Sequence, residues 1–462
     1  MSATRPKVRT TSGIEPVMKA LVLPMTLAVL MAGSQYARAQ GQNPQGPPAP
    51  TEPNPHIAEL PPAGQPLPNL EDTAEAGGAE AEDPRHDAVR WNEYLGSHFH
   101  IRFGGGFLYE VAAFSQDAAS QQQFDLVDQG KVRDARIVLK GGFPQFKRKI
   151  TFSAGFMFDA PTSSWLVRET GVMIQVPELG DSYFFIGRTK EGFSLNKVMV
   201  GYAGWTIERF TMNDATVPIL ADGIKWLFYS KKTGIMWNLG TYTDVLSEGQ
   251  SFSSYEHQSV ARIAWLPIRS EPKDEVLHLG VNLRYGKVED GQLQDKSRPE
   301  AFPAPFFVDT GKFPATSTKM AGYEVYYRNK GLLLGSEYWL QAVNSPSTHN
   351  PTFNGGDVVM AWVLTGESRA YNEVGGFFTA VSPNRPVFSG GPGAWEAVLR
   401  FSNIDLDGGT VQGGKFWRFT PNVNWYLSDN VRLSFVYGFG SLNRFDLIGH
   451  TQFFQSRIQL QL

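Results

Sequence analysis

The chain has 462 residues, with 42 basic and 45 acidic side chains, a formal charge of −3 and no cysteine. That excludes disulfides, thiolate metal sites, thiol nucleophiles and lipidated cysteines, and a balance so close to zero gives no general pull toward nucleic acid. Aromatics reach 13% and glycine 47 residues, while a single apolar run at the start approaches the ~20 residues a membrane helix needs, so an all-β chain is the reading to pursue.

Arg5, Lys7, Arg9 and Lys19 precede an apolar stretch at residues 20–32, and Ala37-Arg38-Ala39 follows. A basic front, a short apolar middle and a small-x-small site predict a cleaved signal peptide over residues 1–39, and hence export. Residues 40–84 hold 11 prolines, eight acidic residues and no lysine or arginine. Such a segment buries too little apolar area to offset its ordering entropy. Residues 40–96 are therefore expected to form a disordered, acidic periplasmic tether, able to reach peptidoglycan or a periplasmic partner. Residues 85–462 carry 37 basic and 36 acidic side chains, so the folded part is nearly neutral.

From residue 97 onward the hydrophobic period is two. In residues 98–112, Phe99, Ile101, Phe103, Phe107, Tyr109 and Val111 share one face. His98, His100, Arg102, Gly104, Gly106 and Glu110 share the other, with Leu108 as an apolar exception. The pattern recurs at 148–158, 276–286, 415–427 and 431–439. It predicts strands at 98–112, 132–142, 147–159, 163–176, 182–190, 223–231, 234–245 and 258–266. A second set follows at 275–286, 319–328, 331–343, 357–365, 394–405, 414–427, 430–440 and 450–462.

A soluble sandwich also alternates, but many of these segments reach the ~9–11 residues that cross a bilayer at a tilt, whereas soluble strands cluster near ~5–6. Trp165, Trp226, Trp237, Trp265, Trp395, Trp417 and Trp425 fall on the apolar face, as girdle residues do. The prediction is a transmembrane antiparallel β-barrel of sixteen strands (fourteen and eighteen are the neighbouring even counts) over residues 97–462. Its setting is the Gram-negative outer membrane, with lipid and lipopolysaccharide around it. Connections after odd strands include the long 113–131, 191–222 and 287–318, and those after even strands are often short, as at 143–146, 177–181, 232–233, 329–330 and 428–429, with 366–393 long on that side.

The polar face is then a wet lumen. It carries Arg102, Arg136, Lys140, Arg262, Arg284, Arg400, Arg418, Arg432 and Arg457 against Glu110, Asp134, Glu324, Glu337 and Glu396, so a cationic interior is expected. Arginine suits anion passage because its planar fork matches phosphate oxygens and stays charged. His98 and His100 lack a third metal ligand nearby in sequence. Gly104-Gly105-Gly106 lacks the GK[ST] of a phosphate loop, and no G-x-S-x-G supports a hydrolase. No enzyme activity, metal or cofactor is expected.

Four stretches resemble the phosphate-selective porin O and P family: RDARIVLKGGF at 133–143; IGRTKEGFSLNK at 186–197 with TIERF at 206–210; GGDVVMAWVLTGESRAYN at 355–372 running through SPNRP to GAWEAVLRFSNIDL at 393–406; and WRFTPNVNWYLSDNVRLSFVYG at 417–438. The resemblance implies a homotrimer of sixteen-stranded barrels passing small anions, with an enlarged connection at 366–393. It also implies an inward-folded constriction loop beginning at GRTKEGFSLNK, which makes Arg188, Lys190, Lys197 and Arg209 candidate anion contacts, with Lys225 on the next strand. The chain departs from the family at Arg133-Asp134-Ala135-Arg136, where the family has a denser basic stretch, and at its terminal Leu462. The expected function is passive diffusion of phosphate, polyphosphate or similar anions. A general solute porin and a plugged outer-membrane anchor are the alternatives.

Overall fold

Alternation of apolar and polar side chains is what lets each segment serve two solvents, and the fold follows from closing such segments into one sheet. A computed structural model describes residues 92–146, 148–159, 163–245 and 254–462. The predicted signal peptide and nearly all of the predicted tether lie outside the described residues. The barrel strands are β1 His100–Gln116, β2 Gln129–Gly142, β3 Ile150–Asp159, β4 Ser164–Gln175, β5 Asp181–Thr189 and β6 Ala221–Tyr229. They continue as β7 Ile235–Thr243, β8 Tyr255–Ser270, β9 Glu275–Val288, β10 Ser317–Asn329 and β11 Leu332–Asn344. The last are β12 Thr352–Val363, β13 Ala394–Gly408, β14 Val411–Ser428, β15 Val431–Arg444 and β16 Leu447–Gln461.

Each strand pairs antiparallel with the next, and β16 returns to β1 from Thr451↔Gln116 to Gln461↔Gly106. The sixteen-stranded cylinder therefore has no free edge, as a lipid solvent requires. Closure is completed where Leu462 donates to the Gly105 carbonyl at 2.9 Å. This defines a near end, at which β1 starts and β16 finishes, and an opposite far end. At the near end the short strand Glu93–Leu95 folds back on β1, with Glu93 opposite Arg102. The last few residues assigned to the tether are thus part of the sheet.

The distribution of side chains is inverted relative to a soluble protein. Leu283 and Val358 are more than half exposed on the outside, while Glu110, Glu324 and Arg418 are fully buried inside. The seven predicted girdle tryptophans lie on the outer face. Near-end members stack on neighbouring rings, Trp395 on Trp425 at 4.9 Å and Trp237 on Phe228 at 3.9 Å. No helix among the described residues is long and apolar enough to cross a membrane; the strands do the crossing.

The lumen differs from the wet space expected above, because three connections enter it. From the far end come residues 190–220, carrying α1 Leu195–Val198 and α2 Thr211–Thr216, and residues 289–316. From the near end comes the 364–393 connection. The first crosses the full width. Ser194 and Asn196 donate to Asn282 and Glu337 on one wall at 3.0 and 2.7 Å. Asn424, Arg432 and Gln459 on the other wall donate to the carbonyls of Trp205, Gly204 and Tyr202. A charged wall in a narrow cylinder finds main-chain carbonyls and carboxylates closer to hand than water, so the inserts cover it.

The near-end insert meets this crossing segment. Arg369 donates to Glu396 at 2.7 and 2.8 Å and also to the Ala203 carbonyl at 2.6 Å. Phe377 and Phe378 share an apolar cluster with Leu195, Met199, Tyr202 and Trp205. Gly106 on β1 is required here, since a Cβ at that position would overlap the Tyr202 ring.

Candidate functional site

The site forms where two strand irregularities and the crossing segment converge. Between Leu108 and Tyr109 the pairing of β1 with β2 slips, so that Leu108 faces Asp134 and Tyr109 faces Val132, which leaves Arg133 as an extra residue. A second slip pairs Ala154 with Thr170 and Phe156 with Val167, setting Arg168 and Glu169 opposite Gly155. Strict alternation would send one member of each adjacent charged pair into lipid. A bulge adds a residue and re-aims the chain, so both members turn inward. Arg168 and Glu169 are consequently buried.

Arg133, Asp134 and Arg168 border a cavity of about 130 Å³. Its cations are Arg133, Arg136, Arg168, Lys190, Lys197, Arg209 and Arg457, and its carboxylates are Asp134, Glu208 and Asp214. The excess is positive. The contributors differ in how their charge is satisfied. Arg133 grips Glu208 through two hydrogen bonds of 2.8 and 3.2 Å. Arg136 chelates Asp134, with Nε at 3.1 Å, and lies over the Tyr202 ring. Arg457 joins Glu110 and Glu208. By contrast Lys190 donates to the Met199 carbonyl at 3.1 Å and Lys197 to the Val217 carbonyl at 2.8 Å. Arg209 donates to the carbonyls of Asn196 and Met199 at 2.9 and 3.0 Å. Neutral oxygens hold these three in place without cancelling their charge.

The remaining predicted residues are spread along the barrel outside this cavity. Arg102 lies 3.6 Å from Glu93 at the near end, opposite Lys140 in the register. Arg188 pairs with Asp222 at 3.2 Å, and Lys225 donates to Thr189 Oγ1 at 2.9 Å. Arg262 pairs with Glu324, Arg284 with Glu191 and Arg400 with Glu300. Arg418 and Arg432 reach Gln455 and Gln459 at 2.6 and 2.8 Å. Alternation alone suggested a ladder of open charges. The structure neutralises much of it through carboxylates on facing strands and on the inserts. Arg133 and Arg168 were not singled out in sequence. The available signal was a charged residue adjacent to another charge inside a period-two run, which marks a bulge.

Electrostatics sharpen the difference between the lysines and the paired arginines. Against the cost of burial, Arg133 and Arg457 hold the Glu208 carboxyl below its usual range. Burial, followed by the neighbouring Arg209, pushes the Lys197 ammonium down to about 7, opposed by Asp214 and Glu191, with Arg168 adding to the depression. Lys190 is lowered by burial and Arg209, with Glu169 opposing. At about 7, the Lys197 ammonium is charged at pH 6 and largely neutral at pH 8. The chloride-over-potassium preference is therefore expected to fall as pH rises across this window. Lys197→Arg, which stays charged, is expected to flatten that profile. A flat profile in the unsubstituted barrel would place the titrating charge elsewhere.

Residues 101–441 match the family described as Phosphate-selective porin O and P. An uncharacterized protein of Caulobacter vibrioides is 28% identical over 166 residues, covering 35% of this chain and 33% of that protein. Porin O of Pseudomonas aeruginosa is 33% identical over 87 residues, covering 17% of this chain and 19% of that protein. The matched stretches thus span about a third and a fifth of these curated relatives. Among solved structures, the trimer form of the outer membrane protein OmpT of Vibrio cholerae aligns with a TM-score of 0.51 at 10% identity, over 79% of this chain and 100% of that one. The outer membrane channel DcaP of Acinetobacter baumannii aligns with a TM-score of 0.50 at 9% identity, over 80% and 99%. Identities this low speak for the barrel fold alone. The family match spans most of the closed cylinder, including both bulged strands and the crossing segment, and this outer-membrane β-barrel belongs to the phosphate-selective porin O and P family.

Proposed function

We propose that the barrel is an anion-preferring diffusion channel whose narrowest selective element is the cavity around Lys190, Lys197 and Arg209. The observation that carries this is the way those three cations are held, by main-chain carbonyls rather than carboxylates, so that the charge each carries when protonated is open to a passing anion. At an effective dielectric of about 20, one such charge attracts an anion 4 Å away by about 4 kcal/mol, against about 1 kcal/mol in bulk water. That concentrates anions while leaving them able to depart. Arg136 borders the same cavity, and Arg102 and Lys140 extend positive charge toward the near end. Inorganic phosphate is the reference permeant that the family description suggests, and polyphosphate is the longer permeant of the same chemistry. No bond is made or broken in this role, and no cofactor is needed. The apolar outer band suits packing as a homotrimer within lipid and lipopolysaccharide.

The experiment is a reversal potential across a planar bilayer holding the purified, folded protein in a potassium chloride gradient. Chloride preference is the expected result, and a potential favouring potassium sinks the reading. A plugged barrel is the second reading, favoured by the three inserts that cover the wall. Absence of any conductance step from folded protein would support it.

A further inference from the structure

Resting on the anion-channel reading, we propose that the cavity favours a monovalent aryl carboxylate over inorganic phosphate. The first reason is the state of the guanidinium forks. Phosphate is best held by bidentate arginine, but Arg133 is already bidentate on Glu208, and Arg136 on Asp134. Of the other cavity cations, Arg457 is shared between Glu110 and Glu208, Arg168 lies 3.5 Å from Glu169, and Lys190, Lys197 and Arg209 are each engaged with a carbonyl. A carboxylate with two oxygens is satisfied by fewer donors than a phosphate with four.

The second reason is the rest of the wall. Leu108, Met157, Met199, Trp205, Ile207 and Ile219 face the same cavity. An inorganic anion gains nothing from them and loses water to them, whereas an apolar body is stabilised by the contact. The cavity's about 130 Å³ is close to the roughly 150 Å³ of an apolar protein cavity known to accept benzene.

A third observation comes from the 289–316 insert. Arg298 lies 5.5 Å from the Phe302 ring and 4.3 Å from that of Phe306. Phe302 also lies under Arg133, at 4.7 Å. Rings and cations therefore alternate on the approach to the cavity, a surface that suits a planar ring bearing one carboxylate.

The test is block of chloride current through the folded barrel by sodium benzoate, sodium acetate and sodium phosphate at pH 6, where phosphate is mostly monovalent. Benzoate is expected to halve the current at a concentration at least tenfold below that of either other salt. Ile219→Asn, at a half-exposed loop position, is expected to raise the benzoate concentration at least fivefold and leave that of phosphate unchanged. Phosphate blocking at the same or a lower concentration than benzoate overturns the proposal, as does acetate matching benzoate. If the barrel prefers potassium to chloride, the channel reading fails instead, so the two failures are distinguishable.

Discussion

Glu324→Ala is expected to cost about 3–5 kcal/mol of barrel stability, the cost of stranding a buried charge. The Glu324 carboxylate accepts from Arg262 at 2.7 and 2.8 Å, from His278 at 2.9 Å and from Asn282 at 2.6 Å. Arg262 and Glu324 are almost completely removed from solvent. Arg262 also donates to the carbonyls of Gly375 and Gly376, and His278 contacts the Tyr371 hydroxyl at 2.7 Å, so this network fastens the near-end insert to the wall. Unfolding by urea from phospholipid vesicles measures the loss. A paired replacement, Arg262→Met with Glu324→Met, is expected to recover most of it, because no lone charge then remains. A change below about 1 kcal/mol in the single variant would mean that water reaches the network and that the lumen is open at this level.

Joint replacement of Lys190 and Arg209 by glutamine is expected to lower the chloride-to-potassium permeability ratio at least tenfold. Each charge contributes a few kcal/mol to an anion within ~4–8 Å at an effective dielectric of about 20, while a tenfold change needs only about 1.4 kcal/mol. Lys287→Gln serves as the comparison. That lysine is more than half exposed, pairs with Glu256 and does not border the cavity. It is expected to leave the ratio within about twofold. An unchanged ratio in the double variant would move the selective element to the paired arginines of the wall.

Much of the architecture was legible residue by residue. The strand predicted at 275–286 is Glu275–Val288, that at 331–343 is Leu332–Asn344, and that at 394–405 is Ala394–Gly408. The inward assignment of Arg262, Arg284, Arg400 and Arg418 follows directly from their place in the alternation. Leu108, the apolar exception on the polar face of β1, does point inward, and it packs in the cluster that holds Tyr202 and Trp205. An irregularity in the pattern was therefore an early sign of the covered lumen. The site was less legible. Lys190, Lys197 and Arg209 were indicated only through a family resemblance, and the bulges that deliver Arg133 and Arg168 break the rule from which the other faces were read.

Period two is a local property of the extended backbone, so the sequence alone indicated which segments pair into the barrel and, outside the bulges, which face meets lipid, while closure at sixteen came from the pairing. The sequence could not determine which charges stay open. Arg457 meets Glu110 across 347 positions of the chain, and Arg400 meets Glu300 across 100. Such partners are chosen by closure of the barrel and by the path of the inserts. Charge neutralisation depends on distances of a few ångströms between groups remote in sequence, and only the tertiary structure sets those distances.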